Sequence, residues 1–266
     1  MKKGFAGGRW RELEVRGGEV RWMENGRIQL YLPVVRGGYA DAQIDDYGET
    51  AVSHSFLSRL SRRHYPWQPP LHLQLRARFS HPLHLLQGTA GFGFWNAPFG
   101  DPTVLLPTLP RATWFFFASA HSDLPFAPFG RQNQWFAAAM NVLLHRAIWL
   151  LPVGPILLLL HQVPRWRNVL WPRVQRFLHI HSTPLVCSLT EWHKYELFWL
   201  SDGCRFLVDD ELVWKTAVTP QGPLGFVCWI DNQYLRATPD GRFRWGTIPV
   251  TQSQWLEIEE LTISPL

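Results

Sequence analysis

The sequence predicts an all-β protein, an antiparallel β-sandwich or jelly roll with a helical insert. Three observations predict it. Short aromatic or β-branched runs, each ending in turn residues, recur along most of the 266 residues, a spacing that suits sandwiches and barrels and not βαβ units. A composition of 46% hydrophobic and 14% aromatic residues supplies a large core and excludes a disordered or fibrous chain. One stretch, Gln134 to Leu178, departs from the strand pattern.

The first strands are WRELEVRG, EVRWMENG and RIQLYLPVV, punctuated by Gly17-Gly18, Asn25-Gly26 and Gly37-Gly38. Asn-Gly between two such runs is the strongest local signal for a tight hairpin. GYADAQIDDYG, LHLQLRARFS, TAGFGFWN and RATWFFFASA follow, and then, after the interruption, WHKYELFWL, CRFLVDDELVWK, LGFVCWIDNQY and QWLEIEELTISP. The LVDDEL cluster reads as a hairpin tip. In the interruption, Gln134, Asn141 and His145 fall at i, i+7 and i+11, a narrow polar stripe on a helix that Pro152 should end. Gly154-Pro155 can start a second helix, and RWRNVLWPRVQRFLHIH a third, basic and kinked near Pro172. The expectation is one domain over residues 1–266, with residues 134–182 as a lid-like helical insert.

Charge is segregated. Between Thr50 and Thr190 only Asp101 and Asp123 are acidic, while the same stretch holds 12 Arg and ten of the 11 His. Such asymmetry points to an anionic partner or to a basic face balanced by acidic ends. The most apolar run, Ala147 to Leu160, contains Pro152, Gly154 and Pro155, too short and too broken for a spanning helix. Its Arg-rich surroundings make an anionic membrane surface a candidate partner. The first residues, MKKGFAGGRWRELEV, lack the apolar core of a signal peptide, so the expected location is cytoplasmic, with peripheral membrane attachment left open. Cys187, Cys204 and Cys228 are odd in number and in no CxxC spacing, against a disulfide framework or structural zinc.

EWHKYELFWLSDGCRFLVDDELVWKT, with its Trp-His-x-Tyr start, alternating strands and Asp-Asp turn, resembles consecutive strands of the concanavalin A-like lectin and glucanase superfamily. The likeness is to glycoside hydrolase family 16-like and laminin-G-like jelly rolls. PLGFVCWIDNQY and QWLEIEELTI are similar to sheet-completing strands of that superfamily, and the insert has no counterpart. The resemblance implies two antiparallel sheets, one with a concave face that often binds glycans. Its hydrolases carry Glu-x-Asp-x-x-Glu on one strand; that motif is absent here, so their mechanism does not transfer.

Asp101, Asp123 and Asp231 form the expected catalytic carboxylate set, the first two on loops in acid-poor sequence. In CWIDNQY, strict alternation puts Trp229, Asp231 and Gln233 on one face and Ile230, Asn232 and Tyr234 on the other. With Trp95, Asn96, Trp114 and His121, the residues Trp229, Asn232 and Tyr234 offer the aromatic platform and polar contacts that a sugar ring requires. His72, His81, His84, His179 and His181 lack a third ligand at diagnostic spacing, so no metal is expected. Asp45, Asp46 and Glu49 could hold Ca²⁺ but read better as a solvated acidic turn. GTAGFGFWN has no following helix start or Lys and is not a phosphate loop; its small residues admit another backbone or a ligand close to the sheet. No cofactor and no nucleic acid are expected. The leading expectation is binding of a saccharide or glycoconjugate, extending to hydrolysis. The alternatives are binding or acid-catalysed conversion of an apolar lipid or isoprenoid at a membrane surface, and a non-catalytic interaction module.

Overall fold

The structure is a computed structural model, and it describes residues 10–47, 65–98, 108–124 and 133–266. Two antiparallel seven-stranded sheets make up the body. The front sheet contains β1 (Arg11–Val15), β4 (Asp41–Asp45), β6 (Thr89–Trp95), β7 (Arg111–Ala118), β8 (Gln134–Asn141), β9 (Ile180–Pro184) and β13 (Gly225–Asp231). Its order is β1-β4-β13-β6-β7-β8-β9. The back sheet contains β2 (Glu19–Trp22), β3 (Ile28–Leu32), β5 (Leu71–Phe79), β10 (His193–Leu200), β11 (Gly203–Val208), β12 (Glu211–Thr216) and β16 (Gln254–Pro265), in the order β12-β11-β10-β5-β16-β3-β2. β14 (Gln233–Ala237) and β15 (Phe243–Thr247) pair as a separate hairpin.

Alternation builds the sandwich. On β6, Phe92 and Phe94 point between the sheets, and on β7 Phe115 and Phe117 do the same. They meet back-sheet rings edge-on: Phe92 lies 5.2 Å from Tyr195, and Phe115 lies 5.3 Å from Phe206 at 85°. Burying each such ring contributes roughly 1.5–3 kcal/mol. On the outer face of the back sheet, Arg78 binds Glu257 at 2.8 Å and Arg76 binds Glu259 at 2.6 Å. Arg27 also reaches Glu259, and Trp192 lies beneath the guanidinium groups of Arg27, Arg76 and Arg78. The acid-rich end of the sequence thus neutralises arginines of the acid-poor middle. On the insert, Arg165 and Arg173 pair with no carboxylate among the described residues, while Arg167 reaches Asp240.

That insert is narrower than residues 134–182. Its helices are α1 (Leu144–Leu150), α2 (Gly154–His161) and α3 (Pro164–Phe177), with Pro172 inside the third. Gln134 to Asn141, expected to be helical, is strand β8. Trp135, Ala137 and Ala139 join the inter-sheet core, while Phe136, Ala138 and Met140 join a second cluster on the front face. A strand apolar on both faces loses its period-2 signature, and the Ala-rich run then mimics a helix. From β9 the chain of contacts runs through α3 to α2. The α2 helix holds the turn of the β14–β15 hairpin, with His161 Nδ1 3.0 Å from the Pro239 carbonyl and Gln162 Nε2 donating to that of Asp240 at 2.9 Å. The hairpin in turn springs from the end of β13, so these elements arch from β13 to β9.

Candidate functional site

The front face carries two kinds of side chain. β13, β6 and β7 present aromatic rings. Trp95, Trp114 and Trp229, from three adjacent strands, lie with centroids 5.8 Å apart (Trp95–Trp114), 5.6 Å apart (Trp114–Trp229) and 6.4 Å apart (Trp95–Trp229), the last pair near parallel at 8°. Phe116 extends this floor, 5.4 Å from Trp229. Trp114 and Trp229 are buried, and Trp95 is half-buried. Glycines make room for these rings at close quarters. A Cβ on Gly91 would stand 2.3 Å from the Phe115 carbonyl oxygen and 3.0 Å from the Trp229 ring, and one on Gly225 would meet Tyr47 at 2.2 Å. The small residues of β6 do admit close neighbours; they are the β7 backbone and the Trp229 indole.

β4 presents polar groups instead. Ala42 and Ile44 face the core, so Asp41, Gln43 and Asp45 form a row on the front face. Asp45 is held by a bidentate Arg11, with Nη2 to Oδ2 at 2.8 Å, and by Gln43 Nε2 at 2.7 Å. Trp95 Nε1 donates to the Tyr47 hydroxyl at 3.0 Å, tying this row to the aromatic floor.

Asp41 stands directly across the ladder from Asp231. The two carboxyls have contrasting surroundings. Asp231 Oδ1 accepts from the Thr89 hydroxyl at 2.8 Å, the Gln233 amide at 3.0 Å and the Thr89 amide at 3.2 Å. Trp229 Nε1 donates to the same Thr89 hydroxyl at 3.1 Å, so a relay runs from the floor to the carboxylate. Burial still pushes the Asp231 pKa up to about 6. Asp41 is buried, and the Tyr39 hydroxyl is the donor group that faces it. Burial first, and the nearby Asp231 charge second, hold its carboxyl well above the ordinary carboxylate range, opposed by the facing Tyr39 hydroxyl. Burial and the two carboxylates also raise the Tyr39 phenol. A buried carboxyl pair is an expensive arrangement, and it makes this place on the front face a candidate site.

The expected site residues divide. Trp95, Trp114, Trp229 and Asp231 come together as described. Asn232 is fully buried, its oxygen accepting from the Ala40 amide and its nitrogen donating to the Gly38 and Ile248 carbonyls, so it clamps the backbone beside Asp41. Asn96 likewise takes the Arg111 amide and donates to Thr108 and Leu109. The strand alternation stops at Asn232, and Tyr234 belongs to the hairpin, opposite Gly246. His121 lies exposed in a turn, its carbonyl accepting from Arg236 at 2.7 Å. Asp123 pairs through its backbone with the strand around Arg236 and sits among Arg236, Asp240 and Arg167, not beside Asp231; burial raises its pKa. Asp101 and Glu49 lie outside the described residues. Asp46 faces away from Asp45, taking the Trp67 indole and the Phe226 amide, and burial raises it to about 6. Asp41 was the residue missed. The signal was the alternation Ala40-Asp41-Ala42-Gln43-Ile44-Asp45, which in a two-layer fold commits three polar side chains to one face.

No protein-family model matches the chain, and no curated protein sequence does. Among solved structures, it aligns over 97% of its length with 92% of an endo-acting O-glycanase from prominent members of the human gut microbiota that initiates mucin breakdown, at 12% identity and a TM-score of 0.50. The fold is an antiparallel β-sandwich of the jelly-roll type. This jelly roll is also similar to a Bacillus licheniformis β-glucanase, at TM-score 0.47 and 9% identity over 99% of this chain and 95% of that one. A Clostridium perfringens endo-β-galactosidase releasing GlcNAcα1-4Gal gives TM-score 0.47 and 12% identity over 97% of this chain, which spans 59% of that enzyme.

Proposed function

We propose that the front face of the jelly roll binds a saccharide over the Trp95–Trp114–Trp229 floor and that Asp41 and Asp231 cleave a glycosidic bond in it. The cross-strand carboxyl pair carries this reading. Facing residues on neighbouring strands have Cβ atoms about 4.5–5.5 Å apart. That spacing favours the short carboxyl separation of retaining hydrolases, about 5–5.5 Å, over the wider one of inverting enzymes. Their environments divide the roles. Asp41, kept protonated by burial and by its neighbour, gives its proton to the leaving oxygen. Asp231, ionised above about 6 and with Oδ1 pinned by three donors, bonds to the anomeric carbon through Oδ2. The anomeric C–O bond breaks as the new one forms. Asp41, now a carboxylate, takes a proton from water as that water displaces Asp231 and restores it. Aromatic rings at van der Waals distance supply the platform for the sugar's apolar face. The O-glycanase likeness at TM-score 0.50 supports a fold suited to this ligand class.

The test is reducing-end release from a panel of β-glucans, galactans and mucin O-glycans, with the anomeric configuration of the product read by NMR. Asp231→Asn should lower kcat by at least about a thousandfold, and kcat/KM of the unaltered protein should climb with pH through about 6. Full activity in Asp41→Asn or Asp231→Asn, or an inverted product, would overturn this assignment.

A further inference from the structure

The α1–α2 helix pair is an anomaly of burial. α1 buries no residue, and α2, with the sequence GPILLLLH, buries only His161. Ile156, Leu158 and Leu159 are 59%, 46% and 72% exposed, and at 100° per residue they point to different sides of the helix axis. Trp149 at 71% and Leu151 at 70% extend the surface along α1 and the bend. A second apolar element lies alongside. On β15, Phe243 and Trp245 are 67% and 73% exposed and project to the same side, two residues apart. The two elements are fastened together, because α2 holds the hairpin turn through His161 and Gln162, and Leu158 packs against Gly241.

The character of this surface decides its occupant. A helix docked on a protein partner is apolar on one stripe, because a partner covers one side. A helix apolar all round belongs inside a core or a bilayer. Charge agrees. No acid occurs between Leu124 and Thr190, and Arg165 and Arg173 on α3 pair with no carboxylate among the described residues, while Arg244 stands between Phe243 and Trp245. Trp beside Arg at the rim of an apolar element is the chemistry of an anionic lipid–water interface. Among the described residues no single helix is long and apolar enough to cross a membrane, and the two helices meet at 69°.

We infer that α1, α2 and the β14–β15 hairpin form one monotopic docking surface, entering the outer part of an anionic bilayer without spanning it. The front face then lies beside the membrane, because the same arch joins it to the docking elements. This inference is independent of the glycosidic reading.

The experiment is flotation of the full chain with phosphatidylcholine vesicles and with phosphatidylcholine–phosphatidylglycerol vesicles. The protein should float with both and more with the anionic ones, and high salt should remove the difference between them. Ile156→Glu/Leu159→Glu should cut the bound fraction at least about tenfold on both vesicles. Arg165→Gln should cut it about fivefold on the anionic vesicles alone. These side chains are exposed, so unchanged thermal unfolding shows the variants to be folded. Brominated lipid should quench unaltered protein more than Trp149→Phe or Trp245→Phe. Failure of the unaltered protein to float with either vesicle overturns the inference. So does dimerisation, lost in Ile156→Glu/Leu159→Glu, without flotation. Activity on soluble glycans should survive in the double variant, so failure here and failure of the glycosidic reading are separable.

Discussion

Asp231 holds its charge against its surroundings. Its folded pKa of about 6 lies above the unfolded value of about 3.9, so the folded state binds the proton more tightly. Its contribution to stability is therefore fully present below about pH 4 and is lost as pH rises to about 6, amounting to about 3 kcal/mol. Asp231→Asn removes that loss while keeping an acceptor for the Thr89 and Gln233 amides. The variant should gain in melting temperature relative to the unaltered protein between pH 4 and 7, and differential scanning calorimetry across that range checks it. A constant difference at all pH values would place the pKa of Asp231 in the ordinary range. Asp231 was legible in the sequence because Trp229 and Asn232 frame it in an apolar strand. Asp41 was not, because the acids that follow it drew the reading toward a turn.

At the scale of the strand, the aromatic floor depends on what β6 omits. Gly91 lets the Trp229 indole lie across the strand, and the rigid neighbour is the Phe115 carbonyl, 2.3 Å from where a Cβ would stand. A backbone oxygen cannot rotate away, so Gly91→Ala must part β6 from β7 or lift the indole. The expected cost is about 1–3 kcal/mol, read by chemical denaturation, with a loss of glycan affinity. Gly26→Ala, at a position where a Cβ meets no atom within 4 Å, should leave that affinity intact. The strands with one polar or ion-paired face, such as β5 and β16, were legible by alternation, and so were the β2–β3 and β11–β12 hairpins by their turns. β8 was not, for the front-face cluster restores apolar residues to the side that would otherwise have been polar. Its period-2 signal exists only for a strand with one covered face.

The whole molecule sets a sandwich whose β5 arginines are ion-paired against an apolar, arginine-bearing appendage, and the topology places that appendage in one connection. β8 and β9 are antiparallel neighbours, with Met140 opposite Ile180 and the Asn141 amide donating to the His179 carbonyl at 3.0 Å. The three helices are therefore a long loop between strands that a tight turn could join, and loop-closure entropy favours the shorter connection. Replacing residues 143–178 by an Asn-Gly turn should leave a cooperatively unfolding protein with the Asp41–Asp231 pair in place. Flotation should fall to the level that Phe243 and Trp245 alone support. The shortened protein should cleave soluble glycans at the unaltered rate and lose any advantage on glycans anchored to vesicles. Equal preference for anchored substrate with and without the helices would mean that the appendage serves the fold and not the delivery of substrate. The sequence recorded this division as a charge asymmetry. The structure resolves it into acids on β16 that meet the arginines of β5, and a helical surface on which Arg167 reaches Asp240 while Arg165 and Arg173 pair with no carboxylate among the described residues.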